Sequence, residues 1–303
     1  MPSQDIIIVG AGLSGLIAAH AWPTAQVLEA SPAPRNAQQA LLRFRTDAVS
    51  KLTGVEFRKV QVRKGLFYGG KFVEPNIMLA NLYAQKVIGR VVDRSIWNLQ
   101  AVERFIAPET LYEELIDAVG SRIAWGVPFG PDAHRGSIVS TAPLPIILKQ
   151  FAVSNAPELK RAGIRVRRWR LPNADVYQTV YFPDPDTSIY RASITGSLLI
   201  VEEVASKTEE EAPLVWVEQA FGINGEALEP LGQSEQSYGK VDELPALERK
   251  RILYELTTRH GIYSLGRFAT WRNILLDDVV DDIVVIKRLL KSGTHYEVRK
   301  VAS

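Results

Sequence analysis

The chain has 303 residues, 46% of them hydrophobic and 23% charged, with 36 Lys and Arg against 34 Asp and Glu for a formal net charge of +2. That composition excludes wholesale disorder and allows a sizeable core, and the length is that of about two domains. There is no cysteine, which excludes disulfides, thiolate catalysis, Cys-ligated zinc, iron–sulfur clusters and a cysteine-linked flavin. The histidines, at 20, 134, 260 and 295, are too scattered for a His-based metal site.

The first residues, Met-Pro-Ser-Gln-Asp, lack the basic n-region of a signal peptide. The apolar run from Ile6 to Trp22 is broken by glycines, Ser14 and His20 and is too short for a membrane span. A soluble, cytoplasmic protein with no membrane partner is expected. Ile6 to Val9 is a β-branched run that predicts a strand buried on both faces. A glycine turn follows, then a helix from Leu16 to Ala21 stopped by Pro23, then a strand from Ala25 to Ala30 that contains Glu29.

Beyond this βαβ start, Val60 to Phe67 and Lys71 to Val73 predict a hairpin around Gly69-Gly70, and Asn76 to Val87 a helix. Pro108-Glu109-Thr110 opens a helix to Val119 with Gly120 as its stop. Arg122 to Trp125 and Gly136 to Thr141 read as strands. Between Phe151 and Leu244, alternation predicts strands at Ile164 to Trp169, Val176 to Phe182, Ser188 to Thr195, Leu198 to Val204 and Leu214 to Val217, as in an antiparallel sheet. Lys207 to Glu211 is read as a solvated acidic loop. Leu247 to Arg259 carries a helical stripe, Gly261 to Leu265 a short strand, and Asp277 to Leu290 a final helix with acids first and Lys287-Arg288 near its end.

Gly10, Gly12 and Gly15 fit G-x-G-x-x-G. The first glycine permits the tight turn, the second lets a pyrophosphate approach the backbone, and the third lets helix and strand pack closely. The pyrophosphate charge would sit on the helix N-terminus. Glu29 ends the second strand, where an acid accepts hydrogen bonds from a ribose and disfavours a 2′-phosphate. This motif does not separate FAD from NAD. At the other end, Gly261 to Asn273 leads into the last helix, and Arg267 is suited to a second pyrophosphate contact because its fork matches phosphate oxygens.

The glycine fingerprint, the segment Ile138 to Leu144 and the run Gly266-Arg267 together resemble flavoproteins of the amine-oxidase and UDP-galactopyranose-mutase superfamily. Gly266, Arg267, Thr270, Trp271 and Arg272 match the mutase pattern Gly-Arg-x-x-Thr-aromatic-Arg, and Tyr190-Arg191 resembles a substrate-domain strand of mutase-like proteins. The resemblance implies FAD in an extended pose. Gly10, Gly12, Leu13, Ser14 and Gly15 would hold the pyrophosphate with Gly266 and Arg267, Glu29 and Ala30 the adenosine ribose, and Val127 the adenine. Trp271 and Asp277 would lie beside the flavin. The chain departs from the pattern in two places: no Gly-Gly pair follows Glu29, and Asn273 stands where mutases place an aromatic. Short chains of this kind also resemble flavoproteins of bacteriophage genomes, some of which act on amino groups attached to hypermodified thymine.

The substrate-side candidates are Tyr190, Arg191 and Arg272, with Trp97 as a further flavin wall and Lys64 and Lys71 as candidate bases. Arginine and aromatic residues alternate in Arg43-Phe44-Arg45 and in Arg165 to Arg170, the pattern of a partner that is an anionic small molecule, a nucleotide-linked substrate or nucleic acid. The expected fold is α/β: a Rossmann-like FAD-binding domain with a doubly wound, mostly parallel sheet, and a second domain built on an antiparallel sheet. Residues 1–40, 101–150 and 245–303 are assigned to the first, and 41–100 and 151–244 to the second. The activity expected is FAD-dependent hydride removal from a carbon next to nitrogen. The alternatives are a mutase-like isomerase and a non-catalytic dinucleotide-binding protein.

Overall fold

The computed structural model describes residues 6–36, 38–93, 96–130, 136–153, 156–205 and 213–292. The acidic segment 207–211 lies outside them. In chain order the elements are β1 (Ile6–Val9), α1 (Leu13–Ala21), β2 (Gln26–Glu29), α2 (Ala48–Thr53), β3 (Arg58–Tyr68), β4 (Lys71–Phe72), α3 (Ile77–Ile88), β5 (Val102–Ile106), α4 (Leu111–Val119), β6 (Ile123–Trp125) and β7 (Ser137–Ser140). They continue with α5 (Leu144–Gln150), β8 (Arg161–Arg170), β9 (Val176–Tyr181), β10 (Ile189–Gly196), β11 (Leu198–Val204), α6 (Val215–Phe221), β12 (Glu229–Val241), α7 (Ala246–His260), β13 (Ile262–Ser264), α8 (Arg267–Thr270) and α9 (Leu276–Ser292).

Two sheets organise these elements. The first is parallel, in the order β13-β7-β1-β2-β6. Its strands are packed on both faces, and β1 has the continuous β-branched composition of such a strand. Ile8, Val27 and Val139 pack with α1, α4 and α9 on one side, while Val9, Leu28 and Ile138 pack with α5 and α7 on the other. The second sheet runs β12-β8-β11-β10-β9-β3-β4, with β5 also on β3, and is antiparallel except where β3 meets β9. Helix α6 covers one face through Val217 and Ala220. Helix α3 covers part of the other through Leu79, Tyr83 and Val87. The uncovered remainder of that face turns toward the glycine loop.

The α/β architecture with a parallel sheet and a second, mostly antiparallel sheet is as the sequence predicts. Two local readings change, and one strand, β12, has no counterpart in the sequence reading. Leu214 to Val217 is not a strand: α6 runs there, because Val217 and Ala220 fall on one helical face and Gly222 supplies a left-handed C-terminal stop at φ 63°. The segment Val102–Ile106, grouped by sequence with the first sheet's residues, pairs with β3 of the second. The long strand β12 lacks an apolar alternation because its first residues lie exposed along the sheet edge.

Candidate functional site

The glycine loop is built by steric necessity. Gly10 has φ +98°, and a Cβ there would lie 2.6 Å from Thr141 Oγ1. A Cβ on Gly15 would lie 1.8 Å from the Gly10 carbonyl oxygen, so α1 and the β1 turn touch backbone to backbone. Gly12 is different. Its φ is an ordinary −73°, and a Cβ built on it would meet nothing within 4 Å. The space in front of Gly12 therefore belongs to a cavity. Helix α1 starts there with no side-chain cap and no acid in its first turn, so its first backbone N–H groups and its positive dipole end are left for an anion.

Glu29 fixes the loop from behind. Its carboxylate accepts the Ala11 N–H at 2.7 Å and the Ser31 N–H at 2.8 Å. The Val127 N–H donates to the Glu29 carbonyl at 2.9 Å, so the two segments predicted to hold the adenosine end are adjacent, with Ala30 exposed beside them.

The C-terminal turn reaches the same place. Gly266, at φ +89°, is so close to Ser14 that a Cβ would lie 2.7 Å from Ser14 Oγ. Gly12, Leu13, Ser14, Gly266 and Arg267 all line one cavity of about 980 Å³. Its floor is the uncovered face of the second sheet, carrying Lys64, Thr179, Tyr181, Arg191 and Glu202. Its charged lining is dominated by cations, Arg35, Arg43, Lys64, Arg104, Arg168 and Arg191 among them, against Glu202 and Glu235. A second cavity, of about 540 Å³, shares Leu13, Leu41, Leu42 and Arg168 with the first.

Of Tyr190, Arg191 and Arg272, Arg191 alone lines the main cavity. A bulge in β10 sets Tyr190 and Arg191 together against Glu202 of β11. The Tyr190 hydroxyl donates to Glu202 Oε1 at 3.1 Å, and Arg191 grips the same carboxylate with Nε and, at 2.6 Å, Nη2. Tyr190 is fully buried, and its hydroxyl is pushed up by burial and by Glu202. Burial alone would push Glu202 up, but the Arg191 guanidinium pulls it below the ordinary glutamate value. Glu202 is a cavity residue that sequence reasoning missed; an acid inside a strand carries no motif.

Several candidate side chains do not face the cavity. The side chain of Trp271 is 0% exposed in the core between α7 and the first sheet, and packs edge-on to Tyr238 instead of facing the cavity. Arg272 pairs with Asp282 on α9 and bonds Thr270 Oγ1 at 3.1 Å, away from the lining. The Asp277 carboxylate accepts the Arg45 and Thr46 N–H groups and the Thr46 hydroxyl, so it pins that segment, while Leu276 and Val279 of the same helix face the cavity. Tyr190 is a prop for Glu202. Trp97 is exposed and Lys71 lies on the exposed hairpin, neither at the lining, whereas Lys64 is at it.

The arginines of β8 do not form an open basic stripe either. Arg167 is buried on Glu203, Arg165 bonds Glu235, and Arg161 stacks on Tyr238 at 3.9 Å. Arg165 and Arg167 are thus met by carboxylates within the sheet, whereas Arg168 donates to Gln39 and lines both cavities.

No protein-family model and no curated protein sequence matches the chain. Solved structures do. The fold is similar to that of a reduced UDP-galactopyranose mutase, at 14% identity and TM-score 0.67 over 100% of this chain and 98% of that one. It is similar to a CLA-producing fatty acid isomerase from P. acnes at 12% identity and TM-score 0.60, over 95% and 99%. It also resembles an aklavinone-11 hydroxylase solved with FAD and aklavinone, at 11% identity and TM-score 0.54, of which this chain, matched over 96% of its own length, spans 62%. The chain therefore has the two-sheet α/β fold of these enzymes. Among the described residues no helix is long and apolar enough to cross a membrane.

Proposed function

We propose that the chain is an FAD-dependent enzyme, an oxidoreductase acting on a small molecule held against the second sheet. The observation that carries this reading is the open space at Gly12 between an uncapped helix and the Gly266-Arg267 turn. Gly10, Gly12, Leu13, Ser14 and Gly15 would receive the pyrophosphate together with Gly266 and Arg267. Glu29, Ala30 and Val127 would receive the adenosine. The start of α9, at Leu276 and Asp277, would lie beside the flavin ring and turn its backbone amides and positive dipole end toward the pyrimidine, with the Asp277 carboxylate engaged elsewhere. Fold likeness to an enzyme solved with FAD supports the cofactor.

Bound flavin would supply hydride acceptance from a carbon next to nitrogen. The chain would supply the positioning. The α1 N–H groups neutralise phosphate, the β3, β10 and β11 side chains orient the substrate, and the apposed sheet and helices exclude water. A cationic lining disfavours a free ammonium substrate, so the amine would be carried on an anionic molecule. The pairing of Arg165 and Arg167 with acids of the same sheet leaves fewer free cations on β8 for a nucleic-acid surface, and the small-molecule reading is preferred.

A second reading, a redox-neutral isomerase, is favoured by the whole-length likeness to a mutase and an isomerase. Asn273 supports it least, since its side chain bonds the Val241 carbonyl at 3.3 Å and is not at the lining. Anaerobic mixing of the FAD-loaded protein with candidate substrates tests the first reading. Bleaching of the flavin absorbance supports it, whereas turnover only after chemical reduction, without net oxidation, supports the second.

A further inference from the structure

The floor of the cavity gathers cations from four separate segments of the chain. Lys64 of β3 lies opposite Thr179 of β9, and Arg43 donates to that same Thr179 hydroxyl at 2.6 Å. Arg104 of β5 lies on the pleat face shared by Val62 and Lys64, and Arg191 of β10 stands opposite Tyr181. All four line the main cavity.

Their compensation is incomplete. Arg43 is held only by neutral acceptors: the Thr179 and Thr195 hydroxyls and the Gln178 and Ile194 carbonyls, at 2.6 to 3.3 Å. Lys64 donates to the Asn98 carbonyl at 3.0 Å, and Arg104 to the Glu103 carbonyl at 2.6 Å. Among the described residues, only Arg191 of the four has a carboxylate partner, Glu202. Burial and then the neighbouring Arg191 lower Arg43 to about 9, and burial and then Arg104 lower Lys64. Like charges held in a concave, poorly solvated wall attract a counter-charge strongly.

We infer that Arg43, Lys64, Arg104 and Arg191 form a substrate subsite for an oxyanion group carrying two or more negative charges, a phosphate-type or a polycarboxylate group. A single carboxylate would leave most of the cluster unmatched. The subsite lies on the second sheet and is separate from the α1 amides that would hold the cofactor's pyrophosphate. The inference rests on the flavin-enzyme reading for what is done to the molecule so held, and it concerns this chain's own residues for how it is held.

Calorimetric titration of the FAD-loaded and the flavin-free protein with pyrophosphate, citrate and acetate tests it. Pyrophosphate or citrate binds at least tenfold more tightly than acetate, and the tighter of the two identifies the group. The double variant Lys64→Ala, Arg104→Ala loses at least tenfold of that affinity with FAD affinity unchanged. Arg259→Ala, an exposed cation on α7 paired with Glu255, loses nothing. Undiminished binding by the double variant, equal weakening by Arg259→Ala, or no preference over acetate overturns the inference. If the chain refuses FAD yet binds pyrophosphate through Lys64 and Arg104, the flavin reading falls and the subsite stands.

Discussion

Gly266 and Ser14 touch so closely that the protein has no room for a methyl group between them: a Cβ on Gly266 would lie 2.7 Å from the serine hydroxyl. The contact joins the first helix of the chain to the turn before its last. A single cavity is thereby walled by segments from both ends of the sequence. Gly266 also sits at φ +89°, a conformation L side chains rarely adopt. Gly266→Ala is therefore expected to cost about 1–3 kcal/mol of stability and to weaken FAD binding together with it. Thermal melting and a flavin fluorescence titration read the two effects.

Gly12→Ala separates binding from folding. Its φ of −73° suits alanine and its Cβ meets no protein atom, so the flavin-free protein melts as the wild type does. The methyl group projects into the space a pyrophosphate would fill, and FAD affinity drops at least tenfold. An unchanged affinity would place the cofactor elsewhere.

Arg272 is a matched control among the residues that carry the family resemblance. Its guanidinium is committed to Asp282 and Thr270 outside the lining. Arg272→Ala is expected to cost about 1 kcal/mol or less in chemical denaturation, and to leave FAD affinity and turnover at wild-type values.

Glu202 gives the acid side of the pH profile. Its folded pKa is depressed, so its contribution is present above the unfolded glutamate value and is lost as pH falls through the folded one. Glu202→Gln leaves Arg191 without its countercharge and is expected to cost about 3–5 kcal/mol at neutral pH. The gap between variant and wild type narrows below the ordinary glutamate range. Denaturation at several pH values reads it.

Lys86 gives the alkaline side. Its ammonium donates to the Phe182, Asp184 and Ile189 carbonyls, at 2.9, 2.6 and 2.5 Å, tying α3 to the turn between β9 and β10. Burial lowers it to about 7, against a partial opposing pull from Asp184. Between that value and the ordinary lysine value the unfolded chain binds more protons, so wild-type stability rises with pH across this window. Lys86→Met is less stable at pH 7, because the carbonyls lose their donor, and lacks the rise.

The sequence made the first sheet legible because its signals are local. A β-branched run, spaced glycines and an acid at a strand end each constrain the neighbouring backbone, and they predict β1, α1, β2 and the turn at Gly266. Most of the second sheet was legible by alternation. Its edge strand β12 was not, because an exposed edge need not alternate, and α6 was not, because a short apolar run such as Leu214 to Val217 fits strand or helix equally. The site's cations escaped as a group because Arg43, Lys64, Arg104 and Arg191 come from separate elements and meet only through strand register. Trp271 and Arg272 misled for the opposite reason: adjacency to Arg267 in sequence does not put their side chains at the cavity.

The central claim is that both ends of the chain grip one FAD. It is tested most directly by titrating purified wild-type protein with FAD and following visible absorbance after removal of free flavin. The wild-type protein is expected to turn yellow and hold one FAD per chain, with Gly12→Ala holding little. A wild-type protein that stays colourless after exposure to excess FAD contradicts it.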